Sequence, residues 1–370
     1  MDPSTVFCPN PECRRHGERG AETLRVHSRK ERRFRCAACG TTVAATTGTA
    51  LHRLRTPAAT VVLVVTLLAH GCPLQAIVAA FGLDERTVRS WAARAGHHCA
   101  AFHAQSVLTG RVELGHVQAD EIWARLRGLR VWLALALAVP SRLWLGAAVG
   151  RSRDRVLIGT VADLVGRCAR HPAFLVCTDG LGAYWTAFRR RLRRPLRTGK
   201  RGRPRLVLPD GFLFAQVVKQ DAQRRVVAVE RRVVHGTAAA VRAVLRATWT
   251  GVDTNTASIE RLNATVRARI APLGRRCRRL VGAEALLVRH VYLVGTLYNF
   301  CTVHRALDRW ADGRWERRTP AMAAGLTERV WTAAEVLSLP LAAADRHAGA
   351  WLLTTGPACR AGPLPEVLAA

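Results

Sequence analysis

The stretch HVQADEIWARLRGLRVWLALALAVPSRLWLGAAVG, residues 116–150, decides the fold. It reads as three strands, His116 to Ile122, Val131 to Val139 and Leu143 to Val149, and the middle one is apolar on both faces, as an interior strand must be. A helical pattern from Asp154 to Ala169 follows, and then an apolar strand, Phe174 to Cys177, runs into Thr178-Asp179-Gly180. The order β-β-β-α-β calls for a mixed sheet with both antiparallel and parallel neighbours, in the α+β/α/β class. Working outward, residues 189–211 are rich in Arg, Pro and Gly and read as a flexible basic insertion. Phe212 to Val218 and Val226 to Val234 read as a hairpin, and helices starting at Thr237, Ala257 and Ala283 complete a core over 112–310. The chain from 311 to 370 is a tail without an assigned role, Ala- and Pro-rich after about Pro340.

Three acids stand where such a core converges. Asp120 ends one strand and Asp179 another, so parallel strands ending together bring the two carboxylates side by side. Glu260 rides on the helix Asn255-Thr256-Ala257-Ser258-Ile259-Glu260-Arg261-Leu262-Asn263, which can pack across the sheet and lower a third carboxylate to the same point. Three neighbouring carboxylates stay ionised together only with cations between them. Two Mg²⁺ ions meet that need and suit hard oxygen ligands, with Mn²⁺ as a substitute. Taken singly, a strand-terminal Asp is more often a turn former and a helical Glu more often faces solvent. Glu121, next to Asp120, is expected on the opposite strand face and is the weaker candidate.

A chain of 370 residues suits two or three domains. It carries 57 Lys and Arg against 26 Asp and Glu, a net charge of +31, and its pI near 11.5 makes a polyanion, above all double-stranded DNA, the favoured partner. A GC-rich coding bias accounts for Arg in place of Lys, the only lysines being Lys30, Lys200 and Lys219, but not for the basic excess. The longest apolar runs, Ala58 to Ala69 and Val131 to Val139, fall short of the roughly 20 residues of a spanning helix. With no charged leader and apolar segment at the start, the expected location is the cytoplasm, on the bacterial nucleoid.

Residues 1–50 hold too few apolar side chains for a core of their own. Cys8 and Cys13 form a C-x4-C pair, and Cys36 and Cys39 a C-x2-C pair 22 residues later. Two such knuckles can place four thiolates around a structural Zn²⁺, a zinc ribbon, with His16 as a possible substitute ligand after the longer first knuckle. The remaining cysteines read as small buried apolar residues.

Within 57–100, Leu74 to Phe81, Gly82 and Asp84 to Ala95 fit a helix-turn-helix. Ile77, Val78 and Phe81 face inward, Val88 and Trp91 anchor the second helix, Asp84 caps it and Gly96 ends it. Arg86, Arg89 and Arg94 would then face phosphates and base edges; an ordinary helical hairpin is the bland reading. In the insertion, Lys200-Arg201-Gly202-Arg203-Pro204-Arg205 resembles an AT-hook lying in a narrow minor groove, against a solvated loop touching phosphates only.

Taken together, the chain resembles bacterial insertion-sequence transposases of the DDE, RNase H-like superfamily, most closely the insertion-sequence-one type, over roughly residues 5–310. The resemblance rests on Cys-Pro-Asn-Pro-Glu-Cys with the later Arg-Cys-Ala-Ala-Cys, on Asp120-Glu121-Ile122-Trp123 and on Thr178-Asp179 followed by Ala183-Tyr184. It rests further on Asn255-Thr256, Glu260-Arg261, Asn263 and Arg267, and on Tyr298-Asn299-Phe300 with His304-Arg305 and Leu307. It implies an RNase H-like core with Asp120, Asp179 and Glu260 as the magnesium-binding triad and a front end that recognises terminal inverted repeats. It also implies Arg261 and Arg267 near the cleaved phosphate, with Asn263 as a weaker contact, and an oligomer on DNA, since synapsis joins two ends. The basic run Arg275–Leu280 and the chain past Trp310 depart from that pattern. A catalytically silent zinc-ribbon regulator, and a nuclease or resolvase without strand transfer, remain as other readings.

Overall fold

The computed structural model describes residues 1–126, 128–197, 202–223, 225–274, 283–311 and 313–354. The N-terminal segment is a three-stranded antiparallel sheet, β1 (Leu24–Ser28), β2 (Arg33–Cys36) and β3 (Thr42–Ala44). Its hydrophobic cluster is only Val6, Cys8, Cys13, Leu24, Phe34, Cys36 and Val43, in keeping with the thin apolar content of that stretch. Three helices follow, α1 (Ala58–Ala69), α2 (Leu74–Phe81) and α3 (Glu85–Ser106).

The strands β4 (His116–Leu126), β5 (Leu129–Ala138) and β6 (Leu143–Gly150) form an antiparallel meander. Helix α4 (Arg155–Cys168) then crosses to β7 (Leu175–Asp179), which lies parallel to β4 on its other side. After α5 (Gly182–Leu192) and a short ribbon, β8 (Arg194–Leu196) with β9 (Arg205–Val207), comes β10 (Leu213–Ala222), parallel to β7, and its hairpin partner β11 (Arg225–His235). The six strands stand in the order β11-β10-β7-β4-β5-β6, a mixed sheet. Helices α6 (Ala238–Ala247), α7 (Ala257–Arg269) and α8 (Glu284–Cys301) follow. Then come the small hairpin β12 (Arg309–Ala311) and β13 (Arg314–Glu316), and α9 (Pro320–Ala323), α10 (Ala333–Ser338) and α11 (Ala343–Leu352).

The starts of these helices follow from their caps. Asp84 accepts from the Thr87 N–H, Asp154 from Val156 and Leu157, and Thr237 from Ala240, each satisfying amide donors that the first turn leaves open. Gly82 adopts φ 60° after α2, the left-handed step expected between the two helices.

Gly96 behaves otherwise. The sequence pattern ends the helix at Gly96, yet α3 runs ten residues further, to Ser106. A Cβ at Gly96 would lie 2.3 Å from the Arg289 carbonyl oxygen, so this glycine is where α3 and α8 approach backbone to backbone. Sequence pattern cannot tell a packing glycine from a capping one. Gly96→Ala is therefore expected to force α8 away and to destabilise the fold by about 1–3 kcal/mol, seen as a lower melting temperature; an unchanged melt would contradict the close approach.

Phe81 also departs from expectation, being 36 % exposed rather than inward, while Ile77, Val88 and Trp91 are buried as anchors. The described parts of the insertion carry regular structure that its composition did not suggest: α5 continues through its arginines to Leu192, and β8 pairs with β9. One hydrophobic cluster runs from α1 and α3 through the sheet to α8 and α10. The late chain returns to the front: a Cβ at Gly349 would lie 2.5 Å from Ala101, Arg19 donates to the Pro340 carbonyl, and Leu341 N–H bonds to Gly48. Small residues permit that approach of α11 to α3, which an Ala-rich sequence alone does not announce.

Three histidines sit inside. Burial lowers His98 and His103 to about 4 and His116 to about 3. Their native values lie below the unfolded value near 6.5, so acid protonates the unfolded chain first. Stability is full above about pH 6.5 and falls as pH drops towards 4, by roughly 1.4 kcal/mol per unit for each histidine. Denaturant titrations at pH 7.5 and 5 should show a marked loss at the lower pH. Equal stability would mean that these rings are not held neutral.

Candidate functional site

Two clusters of chemistry-bearing side chains emerge among the described residues. In the first, Cys8, Cys13, Cys36 and Cys39 bring their sulfurs within 4.8 Å of one another. Cys8 and Cys39 are 3.7 Å apart and Cys13 and Cys36 3.8 Å. Zinc–sulfur bonds of about 2.3 Å at tetrahedral angles set sulfurs about 3.8 Å apart, so the four thiols could hold a structural zinc. His16 is exposed and outside this group.

The second lies where the sheet splits. β7 pairs with β4 through Cys177 opposite Gln118, and with β10 through Asp179 opposite Val217. Carrying the first register on by two residues sets Asp120 beside Asp179. Gln118, fully buried, donates to the Asn255 carbonyl and accepts from the Ile259 N–H, pinning the start of α7 to β4. Along α7, Glu260 and Asn263 are three residues apart and share a face. Asn263 donates to Asp120 at 2.7 Å. Asp120, Asp179 and Glu260 all line one cleft of about 550 Å³, together with Arg153, Lys219 and Thr256.

At the edge of that cleft Asp120 and Asp179 form a tight trio with Glu121, their carboxylate oxygens within 4.8 Å of one another. Glu121 was expected to point away, and its strand position does turn it towards α5, where it accepts from the Tyr184 hydroxyl at 2.6 Å. Because β7 stops at Asp179, no backbone separates the two faces beyond that point, and the carboxylates of both faces converge. Glu260 stands across the cleft, outside the trio, held by the Lys219 ammonium at 2.6 Å and the Thr256 hydroxyl at 2.8 Å. Arg153 pairs with Glu121 and, at 2.9 Å, with Asp179.

The charges are strained accordingly. Burial, then the neighbouring charge of Glu121, raises Asp120 to about 7, with Asp179 and Glu260 adding to the effect. Burial also raises Glu121, against the pull of Tyr184 and Arg153. Burial pushes Glu260 up too, but Lys219 and Thr256 outweigh it and hold that carboxyl below its usual value. Asp120, Glu121 and Asp179 could together hold a metal ion.

Of the other residues singled out, Arg86, Arg89 and Arg94 are exposed on α3, Arg89 paired with Glu85 and Arg94 bonded to the His52 carbonyl. Arg203, Arg205 and Arg261 are exposed and Arg267 is half-buried. Lys200, Arg201 and the run 275–280 lie outside the described residues. Arg153, Lys219, Gln118 and Gln216, which donates to the Asp179 carbonyl, were not singled out from sequence: each sits in a strand or connector where its residue type is unremarkable. No helix among the described residues is long and apolar enough to cross a membrane. No family model, curated protein or solved structure matches the chain, so the geometry itself carries the interpretation.

Proposed function

We propose that this chain is a DDE transposase that binds the terminal inverted repeats of an insertion sequence, cuts DNA there and joins the freed 3′-OH to a target strand. The observation that carries the reading is the meeting of Asp120 and Asp179, from adjacent parallel strands, with Glu260 on α7 in one cleft of a chain with net charge +31. The strand order, three antiparallel strands followed by two parallel ones beside the first, supports an RNase H-like core.

The donor set suits magnesium, all-oxygen and acidic, with manganese able to replace it. Two such ions between the carboxylates would supply activation of the attacking oxygen and charge stabilisation of the leaving one. Asn263 fixes the Asp120 oxygen that faces α7, and Gln118 fixes the height of α7, hence of Glu260. Lys219 and Arg153 neutralise Glu260 and Asp179 in the free protein and stand on the cleft wall, where both can turn to phosphate oxygens. Arg261 and Arg267, Arg86, Arg89 and Arg94, and the basic ribbon around Arg203 and Arg205 would hold DNA phosphates, and the zinc ribbon would stiffen the front end. An assembly holding two DNA ends needs at least two copies of the chain.

The test is incubation of the full chain with labelled duplex from the DNA flanking its gene, in Mg²⁺, Mn²⁺ or no divalent ion. Cleaved and joined products that need the ion are expected. Binding without any ion-dependent cleavage would instead favour the silent regulator, and cleavage without joining a nuclease or resolvase.

A further inference from the structure

The β4–β7 pairing ends at Gln118 and Cys177 and β7 itself stops at Asp179, whereas β4 continues with β5 as a two-stranded arm past the carboxylates. Strand alternation puts Glu121, Trp123 and Arg125 on one face of β4. Their partners on β5 are Ala134, Trp132 and Arg130. On that face the side chains interleave. Arg153, already paired with Glu121 and Asp179, lies 5.5 Å over the Trp132 ring; Arg130 lies 6.0 Å from Trp132 and 5.0 Å over Trp123. The result is a ladder, Arg153-Trp132-Arg130-Trp123, that starts at the carboxylates and runs outward. Trp123 is 44 % exposed although it is one of the largest apolar side chains of the arm. Residues 122–134 contain no acid and three arginines.

From this geometry we infer that the β4–β5 arm is the track for an unpaired strand of the nucleic acid, its bases stacking on Trp123 and Trp132 and its phosphates meeting Arg125 and Arg130. The inference rests on the reading of the chain as a DNA-processing protein and names the part of the substrate that leaves the cleft unpaired. Base faces are buried in a duplex and open in a single strand, so aromatic rings alternating with guanidinium groups select the latter. The basic arm adds the charge that a polyanion requires. A ladder serving only to stiffen the hairpin would have no such selectivity.

The test uses the full chain without added magnesium and three labelled DNAs of one sequence: single strand, blunt duplex, and duplex with a single-stranded overhang. Trp123→Ala should weaken single-strand and overhang binding about tenfold, the scale of one lost base–aromatic stack, and leave blunt-duplex binding unchanged. Trp123→Phe should restore most of the loss, and Arg130→Ala, at an exposed position, should weaken overhang binding several-fold without affecting the fold. Should Trp123→Ala unfold, the Phe and Arg130 variants carry the comparison. Overhang and blunt affinities falling together, or neither falling, overturns the inference. Cleavage assayed on the same proteins separates the two readings. A wild type with the Trp123-dependent preference that never cleaves overturns the transposase proposal alone, and a cleaving wild type whose Trp123→Ala form binds overhangs normally overturns this inference alone.

Discussion

Asp120→Asn should leave DNA binding intact and lower metal-dependent cleavage by about a thousandfold or more, a loss of about 4 kcal/mol of transition-state stabilisation. The amide keeps the shape and can still meet Asn263, whose side-chain amide flips to match, so the junction of β4 with α7 survives. What goes is charge. Asp120 has its carboxylate within 4.8 Å of those of Glu121 and Asp179 and lines the same cleft as Glu260, so it is the one that cations shared between the two sides of the cleft would engage; burial first, and then Glu121, raises it to about 7. Gel-shift affinity and cleavage rate, measured on the same preparation, check both halves. Cleavage within tenfold of wild type would remove Asp120 from the chemistry.

The second large effect concerns the cysteines. The front sheet has a cluster of seven buried residues, three of them cysteines, too little apolar area to offset the entropy of ordering the chain. Zinc contributes roughly 10–16 kcal/mol to comparable four-ligand folds. Cys36→Ser, or prolonged chelation, should therefore unfold residues 1–44 while the six-stranded sheet remains. Hydrogen exchange reads this region by region. Amides of β1 and β2, now paired as Leu24 with Cys36 and Val26 with Phe34, should exchange at the rate of free chain, whereas those of β4 to β6 keep their protection. Retained protection in β1 and β2 would show that the bonds to Gly48 and Pro340 and the small cluster suffice without metal.

Much of the architecture was legible because period-2 and period-3.6 patterns report one-sided burial directly. The meander of β4 to β6, the helix capped by Asp154 and the starts of α6 to α8 were all placed from such patterns. The juxtaposition of Asp120 with Asp179 followed from one topological rule, that parallel neighbours end together. What escaped were features set by distant packing. Gly96 closes the gap to α8, and α11 lies on α3 through small residues; neither leaves a periodic trace. Glu121 keeps the strand face that alternation assigns it, yet its carboxylate meets those of Asp120 and Asp179 because the neighbouring strand β7 stops at Asp179. Arg153 and Lys219 acquire their places from the carboxylates they face, which no local window contains.

The most direct test is crystallographic: crystals of the full chain equilibrated with Mn²⁺ and measured at the manganese absorption edge. Anomalous peaks bonded to Asp120 and shared with Asp179 on one side and Glu260 on the other, with Lys219 and Arg153 displaced from the carboxylates, are the predicted result. A cleft saturated with Mn²⁺ that shows no peak at Asp120, with both ion pairs unchanged, would contradict it.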